Sequence, residues 1–304
     1  MNTKQSQTLL AVLLAGGTTL SAQNAATPAA AATNDAASEI GLQQVVETHD
    51  GLSASAGYQF QFLYRDNPFY VDAPPTDAAK SRIMVHTFMG AVSLNDADSN
   101  NFFTDNTFGV LYQQVRYQED LLKGFDYDTI SAFYKANINK QLGEWQPSIG
   151  IGYTKIKIDP VSIDVFDGFF PYLALTKIYP EENNSQFIAA LKTSYGMTDI
   201  KGTSTDENRL DSWTTTATVG QHYSINSQIG LKSNCHADYS YYGEGSNSGR
   251  GDFLIGAGTS LYYMINNYLV ADVFADYSKR FSNEDIYEYD NWDAGVKIGA
   301  MIQF

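Results

Sequence analysis

The fold is decided by the C-terminal stretch Trp292-Asp293-Ala294-Gly295-Val296-Lys297-Ile298-Gly299-Ala300-Met301-Ile302-Gln303-Phe304. Every even-numbered position holds an apolar residue, whereas the odd positions hold Asp, Gly, Lys, Gly, Met and Gln. Alternation with a period of two places successive side chains on opposite faces of a β-strand. The stretch therefore predicts a strand with one apolar and one mostly polar face, which ends at an aromatic residue.

The same alternation recurs along most of the chain, and it is clearest in Leu52 to Tyr64. Predicted strands lie near 52–64, 81–94, 106–118, 127–139, 145–158, 187–197, 213–223, 229–241, 253–263, 269–278 and 292–304. Residues 170–179 are harder to assign because the segment around Phe169 to Leu175 is apolar on both faces. Periodicity alone therefore predicts an all-β protein and leaves the strand count open.

Composition excludes two classes of protein. The 304 residues carry a net charge of -15, which does not suit a nucleic-acid binder, since such a protein needs a basic face. No stretch beyond the N-terminal segment approaches the roughly 18 consecutive apolar residues of a membrane-spanning helix. The mean hydropathy of -0.28 still allows membrane strands, because these alternate apolar and polar residues.

The N-terminus predicts the compartment. Lys4 supplies a positive charge, residues 9–16 form a short apolar segment, and Leu20-Ser21-Ala22 provides small residues at a cleavage point. This pattern is typical of a secretory signal peptide. We therefore expect a signal peptide over residues 1–22, a periplasmic linker over 23–50 and the folded domain over 51–304. Cys235 is the single cysteine, so we expect no internal disulfide.

The C-terminal stretch is similar to the assembly signal of bacterial outer-membrane β-barrels, in which the last strand ends in Phe and apolar residues recur at every second position. The resemblance is carried by Val296, Ile298, Ala300, Ile302 and Phe304. It implies a transmembrane antiparallel up-and-down β-barrel in the bacterial outer membrane, with both termini in the periplasm. The implied partners are outer-membrane lipid, lipopolysaccharide and the barrel-assembly machinery.

Such barrels have an even number of strands, and this bears on whether residues 170–179 form a strand. Counting 170–179 as a strand gives about twelve strands, whereas treating 159–198 as one long excursion gives ten. The predicted outer loops then lie near 65–80, 119–126, 159–169, 198–210, 243–250 and 281–290. We expect twelve strands, with ten as the alternative.

The outward rows begin and end in aromatic residues. The pairs are Trp213 with Tyr223, Phe253 with Tyr263, and Trp292 with Phe304. Ten to twelve tilted strand residues span roughly 25–30 Å along the membrane normal, which is the height of the apolar band between two aromatic girdles. We therefore expect Trp213, Tyr223, Phe253, Tyr263 and Trp292 to form part of these girdles.

The opposite rows predict the lining of the lumen. The candidates are Lys135, Lys192, Lys232, Asp238, Asp272, Asp276, Asp293 and Lys297. Four lysines against four aspartates indicate a balanced interior and not a ring of one sign. A barrel of twelve strands lies between filled and water-containing barrels. The sequence therefore favours a narrow porin-like channel for small hydrophilic solutes; the alternative is a closed structural or adhesive surface barrel that acts through its outer loops.

Two short motifs have simple explanations. Asp96-Ala97-Asp98-Ser99-Asn100 begins like a calcium loop, but it lacks the glycine and the closing glutamate, so a polar turn is the better interpretation. Arg250-Gly251-Asp252 is the tripeptide that integrin-binding ligands display, and Gly-Asp also suits the entry into a strand.

Catalytic motifs are weak. Among the four histidines, His86 alone lies where it could serve a site at the outer rim, and the face of its strand is ambiguous. No segment matches the serine or histidine motifs of the outer membrane phospholipase, and no His/Cys spacing suits zinc. We therefore expect no enzymatic activity, no cofactor and no metal site.

Overall fold

The computed structural model describes residues 51–67, 80–95, 101–120, 122–123, 126–139, 142–158, 163–179, 184–200, 211–244 and 247–304. The predicted signal peptide (1–22), the predicted linker (23–50) and the calcium-like segment Asp96 to Asn100 lie outside these residues. Within the described ranges, no helix has the length and apolar character needed to cross a membrane.

Twelve antiparallel strands form one closed sheet. They are β1 (Gly51–Arg65), β2 (Ser81–Asn95), β3 (Phe103–Tyr117), β4 (Tyr127–Ile138), β5 (Gln146–Ile158), β6 (Ile163–Ile178), β7 (Ser185–Ile200), β8 (Ser212–Ser224), β9 (Ile229–Tyr242), β10 (Gly251–Met264), β11 (Leu269–Ser282) and β12 (Tyr289–Gln303), with a short 3-10 helix at Asp285–Tyr287. Each strand pairs with its neighbours in sequence, and β12 pairs with β1. The prediction of a twelve-stranded up-and-down barrel is confirmed, and the alternative of ten strands is wrong.

The C-terminal stretch is the strand that closes the barrel. It pairs antiparallel with β1 in a register that places Val296 opposite Phe62 and Ile302 opposite Ala56. Beyond the last of these pairs, the Phe304 backbone N–H donates to the Ala54 carbonyl at 2.8 Å. Closure leaves no unpaired sheet edge, which is what a β-structure in lipid requires.

The barrel has two different ends. The end that holds Gly51 and Gln303, together with the turns 225–228 and 265–268, is called the terminal end here, and the opposite end is called the distal end. At the terminal end, the Asn226 side chain accepts hydrogen bonds from the backbone of Gln228 and Ile229. The Asn266 side chain accepts one from the backbone of Tyr268. These asparagines hold the tight turns in place, as turn residues of this type commonly do.

The outward face of the barrel is apolar. Its exposed large side chains include Leu52, Phe62, Val92, Phe108, Ile130, Leu173, Leu191, Val219, Leu261, Val273, Val296 and Ile298. A continuous apolar surface of this kind is unfavourable in water and suits lipid. The resemblance to outer-membrane β-barrels therefore holds at the level of the fold.

The predicted boundaries around β6 were wrong. Residues 159–169 were expected to form an outer loop and 170–179 a strand, whereas β6 begins at Ile163. The reason is that its inner face is aromatic: Phe166 is 0% exposed, and Phe170 and Tyr172 are also buried. With apolar residues on both faces, the strand lacks the alternation by which its neighbours are recognised.

Candidate functional site

The inner face of the barrel brings together the eight predicted lumen residues. Their side chains project inward from five strands and are all buried, with exposures from 2% to 8%. They are Lys135 on β4, Lys192 on β7, Lys232 and Asp238 on β9, Asp272 and Asp276 on β11, and Asp293 and Lys297 on β12. The inner face divides into a distal half and a terminal half, defined by the middle of each strand.

An ion pair on the closing strands dominates one side of the distal half. The Arg65 guanidinium donates to both carboxylate oxygens of Asp293, with Nη2 at 2.6 Å from Oδ2 and Nε at 2.9 Å from Oδ1. Asn291 Nδ2 donates to the same carboxylate at 3.0 Å. The two charged side chains are 2% and 3% exposed, so this fork-shaped pair is removed from water.

A second buried cluster surrounds the tripeptide Arg250-Gly251-Asp252. The Arg250 guanidinium lies between two rings, 3.7 Å from the Tyr242 centroid and 3.9 Å from the Tyr287 centroid. Its Nε is 3.3 Å from Asp252 Oδ2, and Arg280 Nη1 is 3.7 Å from the same oxygen. Because Arg250 is 1% and Asp252 3% exposed, the side chains of this tripeptide are not displayed for binding by a receptor.

The distal half also contains a buried apolar cluster. It consists of Leu63, Ile83, Val85, Val115, Tyr117, Leu122, Tyr127, Ile156, Phe166 and Phe170, and Phe274 extends it just to the terminal side of the middle of β11. Leu122 belongs to the connection between β3 and β4 and is 2% exposed, so this connection contributes to the core at the distal end. An apolar lining of this kind does not attract hydrophilic solutes.

In the terminal half, aromatic rings lie against glycines of the neighbouring strand. A β carbon added at Gly150 would lie 2.3 Å from Tyr172 Cζ, and one at Gly109 would lie 2.3 Å from the Phe133 ring. Gly230 is covered in the same way by Tyr262. These glycines leave the space in which the rings lie along the wall of the barrel.

Lysines lie over two of these rings, Tyr172 and Tyr262, and over the ring of Phe274. Lys192 Nζ is 5.6 Å from the Tyr172 centroid, Lys232 Nζ is 4.9 Å from that of Tyr262, and Lys297 Nζ is 5.0 Å from that of Phe274. Attraction between an ammonium and the face of an aromatic ring stabilises such contacts when both groups are removed from water.

The Tyr262 hydroxyl is also hydrogen-bonded to His222 Nε2 at 2.5 Å. Lys232 in turn lies 3.6 Å from Asp272 Oδ1. His222, Lys232, Tyr262 and Asp272 thus form one polar group on the four consecutive strands β8 to β11.

The remaining predicted residues lie on the outward face. The exposures of Trp213, Tyr223, Phe253, Tyr263 and Trp292 range from 42% to 57%. Of the residues that carry the assembly-signal resemblance, Val296, Ile298, Ile302 and Phe304 are exposed. Ala300 is half-buried. The structure therefore places these residues toward lipid.

His86, whose orientation the sequence left ambiguous, faces outward. Its Nδ1 is hydrogen-bonded to the Tyr58 hydroxyl at 2.8 Å, and its ring is 5.0 Å from that of Phe60. Among the described residues, no group of three or more His, Cys, Asp or Glu side chains could hold a metal ion. The geometry therefore assigns His86 no chemical partner beyond Tyr58.

Charged residues also occur at the distal rim. Glu119 lies in the connection between β3 and β4 and accepts hydrogen bonds from Ser81 Oγ and from Arg82, whose Nε is 3.1 Å away. Burial raises the pKa of Glu119, but these hydrogen bonds outweigh it and hold the pKa below its ordinary value. This pair is much more exposed than the arginines inside the barrel, since the Arg82 side chain is 63% exposed.

The three buried arginines were not predicted from the sequence. Arg65 lies on the same inward-facing row of β1 as Gln59 and Gln61, and Arg280 lies on the same inward-facing row of β11 as Asp276. The alternation of inward and outward residues could therefore have predicted that both arginines point into the barrel. Arg250 precedes its strand, and no periodicity indicates which way it points.

Comparisons with known proteins found outer-membrane barrels. The translocator domain of the autotransporter NalP from Neisseria meningitidis is 12% identical, with a TM-score of 0.42 over 84% of this chain and 89% of that chain. KdgM porin is 11% identical, with a TM-score of 0.39 over 80% of this chain and 97% of that chain. An outer membrane channel from Pseudomonas putida F1 is 6% identical, with a TM-score of 0.49 over 84% of this chain and 97% of that chain. No family model and no curated protein matches the chain. Because these proteins are described with different roles, none of those roles is assigned to this chain.

Proposed function

We propose that the protein is a closed barrel of the bacterial outer membrane, which presents its distal connections at the cell surface and forms no permanently open pore. The observation that carries the proposal is the burial of the distal half of the inner face. Arg65, Arg250 and Arg280 are 1% to 2% exposed, although a water-filled pore would hydrate such side chains. In this proposal the barrel is not an enzyme and uses no cofactor.

Closure has two components in the distal half. On one side, Arg65 with Asp293 and Arg250 with Asp252 form pairs whose charges lie within 4 Å of each other. On the other side, the apolar cluster around Phe166 excludes water by its composition. A solute would have to separate paired charges or enter an apolar layer in order to pass.

The test is single-channel recording on the refolded full chain in planar bilayers. We expect a closed baseline for the wild type, and openings for Arg65→Ala combined with Asp293→Ala. The matched control is Arg82→Ala combined with Glu119→Ala, an exposed pair at the rim, which should stay closed. Steady wild-type conductance that scales with salt concentration would overturn the proposal.

A narrow channel for small hydrophilic solutes is the second candidate, and the terminal half favours it. Ser55, Gln186 and Asn234 are inward-facing polar residues that are only half-buried, so this half is not completely filled by side chains. The same recording distinguishes the two candidates, because a channel conducts without any substitution.

Orientation follows from the predicted assembly route, in which both termini stay in the periplasm and the assembly machinery recognises the last strand. An epitope inserted into the distal connection 201–210 should be labelled on intact cells, whereas one inserted into the turn 225–228 should not. Labelling of the second epitope alone would place the terminal end outside. Removal of Phe304 should lower the amount of assembled barrel, while the distal epitope should still be exposed on the barrels that form.

A further inference from the structure

The charges of the inner face are separated along the barrel axis. Lys135, Lys192, Lys232 and Lys297 each lie in the half of their strand that is nearer the terminal end. Asp238, Asp276 and Asp293 lie in the distal halves. The four lysines and four aspartates that look balanced in the sequence are therefore not balanced in space.

The terminal half carries an excess of positive charge. Among the described inward-facing residues of this half, the carboxylates are Asp105 on β3 and Asp272 on β11, against the four lysines. The Asp105 carboxylate accepts a hydrogen bond from Asn137 at 2.8 Å, and Asp272 lies 3.6 Å from Lys232. The lysines come from β4, β7, β9 and β12, so they surround the lumen instead of occupying one side of it.

Of the four lysines, Lys135 gives the strongest argument for a bound ligand. It is 7% exposed, and the described residues show no hydrogen bond or ion pair to it, although the Asp105 carboxylate interacts with it electrostatically. A buried ammonium that donates no hydrogen bond is costly, and an anion bound within hydrogen-bond distance removes part of that cost. Ser55, Gln186 and Asn234 on the inner face of this half are only half-buried, so this half is not completely filled by side chains.

We propose that the terminal half of the inner face is a binding site for small anions of the carboxylate or phosphate class, held by Lys135, Lys192, Lys232 and Lys297. Rings of lysine or arginine are the arrangement by which pores select anions, because the fixed positive charges act together at close range. Aromatic rings under three of the lysines help to position the ammonium groups. The site is independent of whether the distal half is closed.

The test is equilibrium binding of inorganic phosphate to the refolded full chain in detergent, by titration calorimetry at constant ionic strength. We expect saturable binding by the wild type and binding weaker by about tenfold in Lys135→Gln, since one charge-assisted contact is lost. Lys157→Gln is the matched control, because Lys157 is an exposed lysine on the outward face of β5, and it should bind like the wild type.

Folding of each variant is checked by heat-modifiable migration in detergent gels, and Lys232→Gln provides a second lysine if Lys135→Gln fails to fold. The absence of saturable phosphate binding in the wild type would overturn the proposal, as would equal affinities in all the folded lysine variants. Because calorimetry requires no current, its outcome is separate from that of the conductance test.

Discussion

In the distal half of the inner face, the Arg65 and Asp293 side chains lie against each other, whereas in the terminal half three of the four lysines lie over aromatic rings. Arg65 and Asp293 form two short hydrogen bonds to each other, and both are almost fully buried. Lys192 and Lys297 instead contact Tyr172 and Phe274. The first arrangement neutralises charge, whereas a ring contact positions an ammonium without neutralising it.

This difference connects the two proposals. In the distal half, ion pairs and an apolar cluster make the entry of water unfavourable, and this supports closure. In the terminal half, the excess of positive charge attracts anions. The comparison predicts that changes in the distal half mainly affect stability and closure, whereas changes of lysines in the terminal half mainly affect binding.

The largest expected effect is that of Arg65→Leu. It leaves Asp293 as a buried carboxylate without its counter-charge, which should lower the free energy of unfolding by about 3–5 kcal/mol. Urea unfolding of the refolded protein in lipid vesicles, followed by tryptophan fluorescence, measures this loss. Arg82→Leu breaks the exposed pair with Glu119 and should cost less than about 1 kcal/mol. Equal losses would mean that burial of the pair does not matter.

The apolar part of the distal half can be tested with two isoleucines of β5. Ile156 is 0% exposed inside the barrel, and Ile151 is 41% exposed on the outward face. Ile156→Ala should cost about 2–5 kcal/mol because it leaves a cavity. Ile151→Ala should cost less, since lipid chains occupy the vacated volume. A larger loss for Ile151→Ala would show that the inner cluster is not well packed.

Much of the fold could be predicted from the sequence, because the outward face of a membrane strand must be apolar at every second residue. The row Leu52 to Tyr64 and the C-terminal row met this requirement, and both are strands. The start of β6 could not be predicted, since Phe166 and Phe170 face inward and remove the alternation. Alternation fails wherever the inner face is itself apolar.

Less of the candidate site could be predicted. The alternation of inward and outward residues predicted that Lys135 and Asp293 lie on the inner face. It carries no information about the height of a residue along the barrel axis. Heights depend on the strand ends and on the register between strands, which only the closed sheet defines. The separation of lysines from aspartates therefore became visible only in the structure. The burial of Arg250 likewise depends on Tyr242 and Tyr287, which lie on either side of it in sequence and in space.

A third prediction concerns the ring-on-glycine packing of the terminal half. A β carbon at Gly150 would lie 2.3 Å from Tyr172 and 2.6 Å from the backbone oxygen of Tyr134. Gly150→Ala should therefore displace Tyr172 and lower the free energy of unfolding by about 1–3 kcal/mol. Gly90→Ala is the control, because its nearest neighbour would be 3.8 Å away. If Tyr172 positions Lys192, phosphate binding should weaken in Gly150→Ala and should stay unchanged in Gly90→Ala.

The smallest expected effect is that of pH on the distal rim. The pKa of Glu119 is lower in the folded protein than its ordinary value of 4.5, so the carboxylate form is favoured by folding. Its contribution to stability is therefore present above about pH 4.5 and is lost as the pH falls through the lower pKa of the folded protein. Because the pair with Arg82 is largely exposed, we expect less than about 1 kcal/mol.

Urea unfolding measured at several pH values between 3 and 6 checks this contribution in wild type, Glu119→Gln and Asp120→Asn. Glu119→Gln should remove part of the dependence on pH, whereas Asp120→Asn should have a smaller effect: the hydrogen bond from Lys123 lowers the pKa of Asp120, but this side chain is 91% exposed. A loss on acidification as large as that caused by Arg65→Leu would contradict the comparison. It would mean that a charged pair at the rim stabilises the barrel as strongly as one enclosed within it, and burial would no longer explain why the distal half is closed.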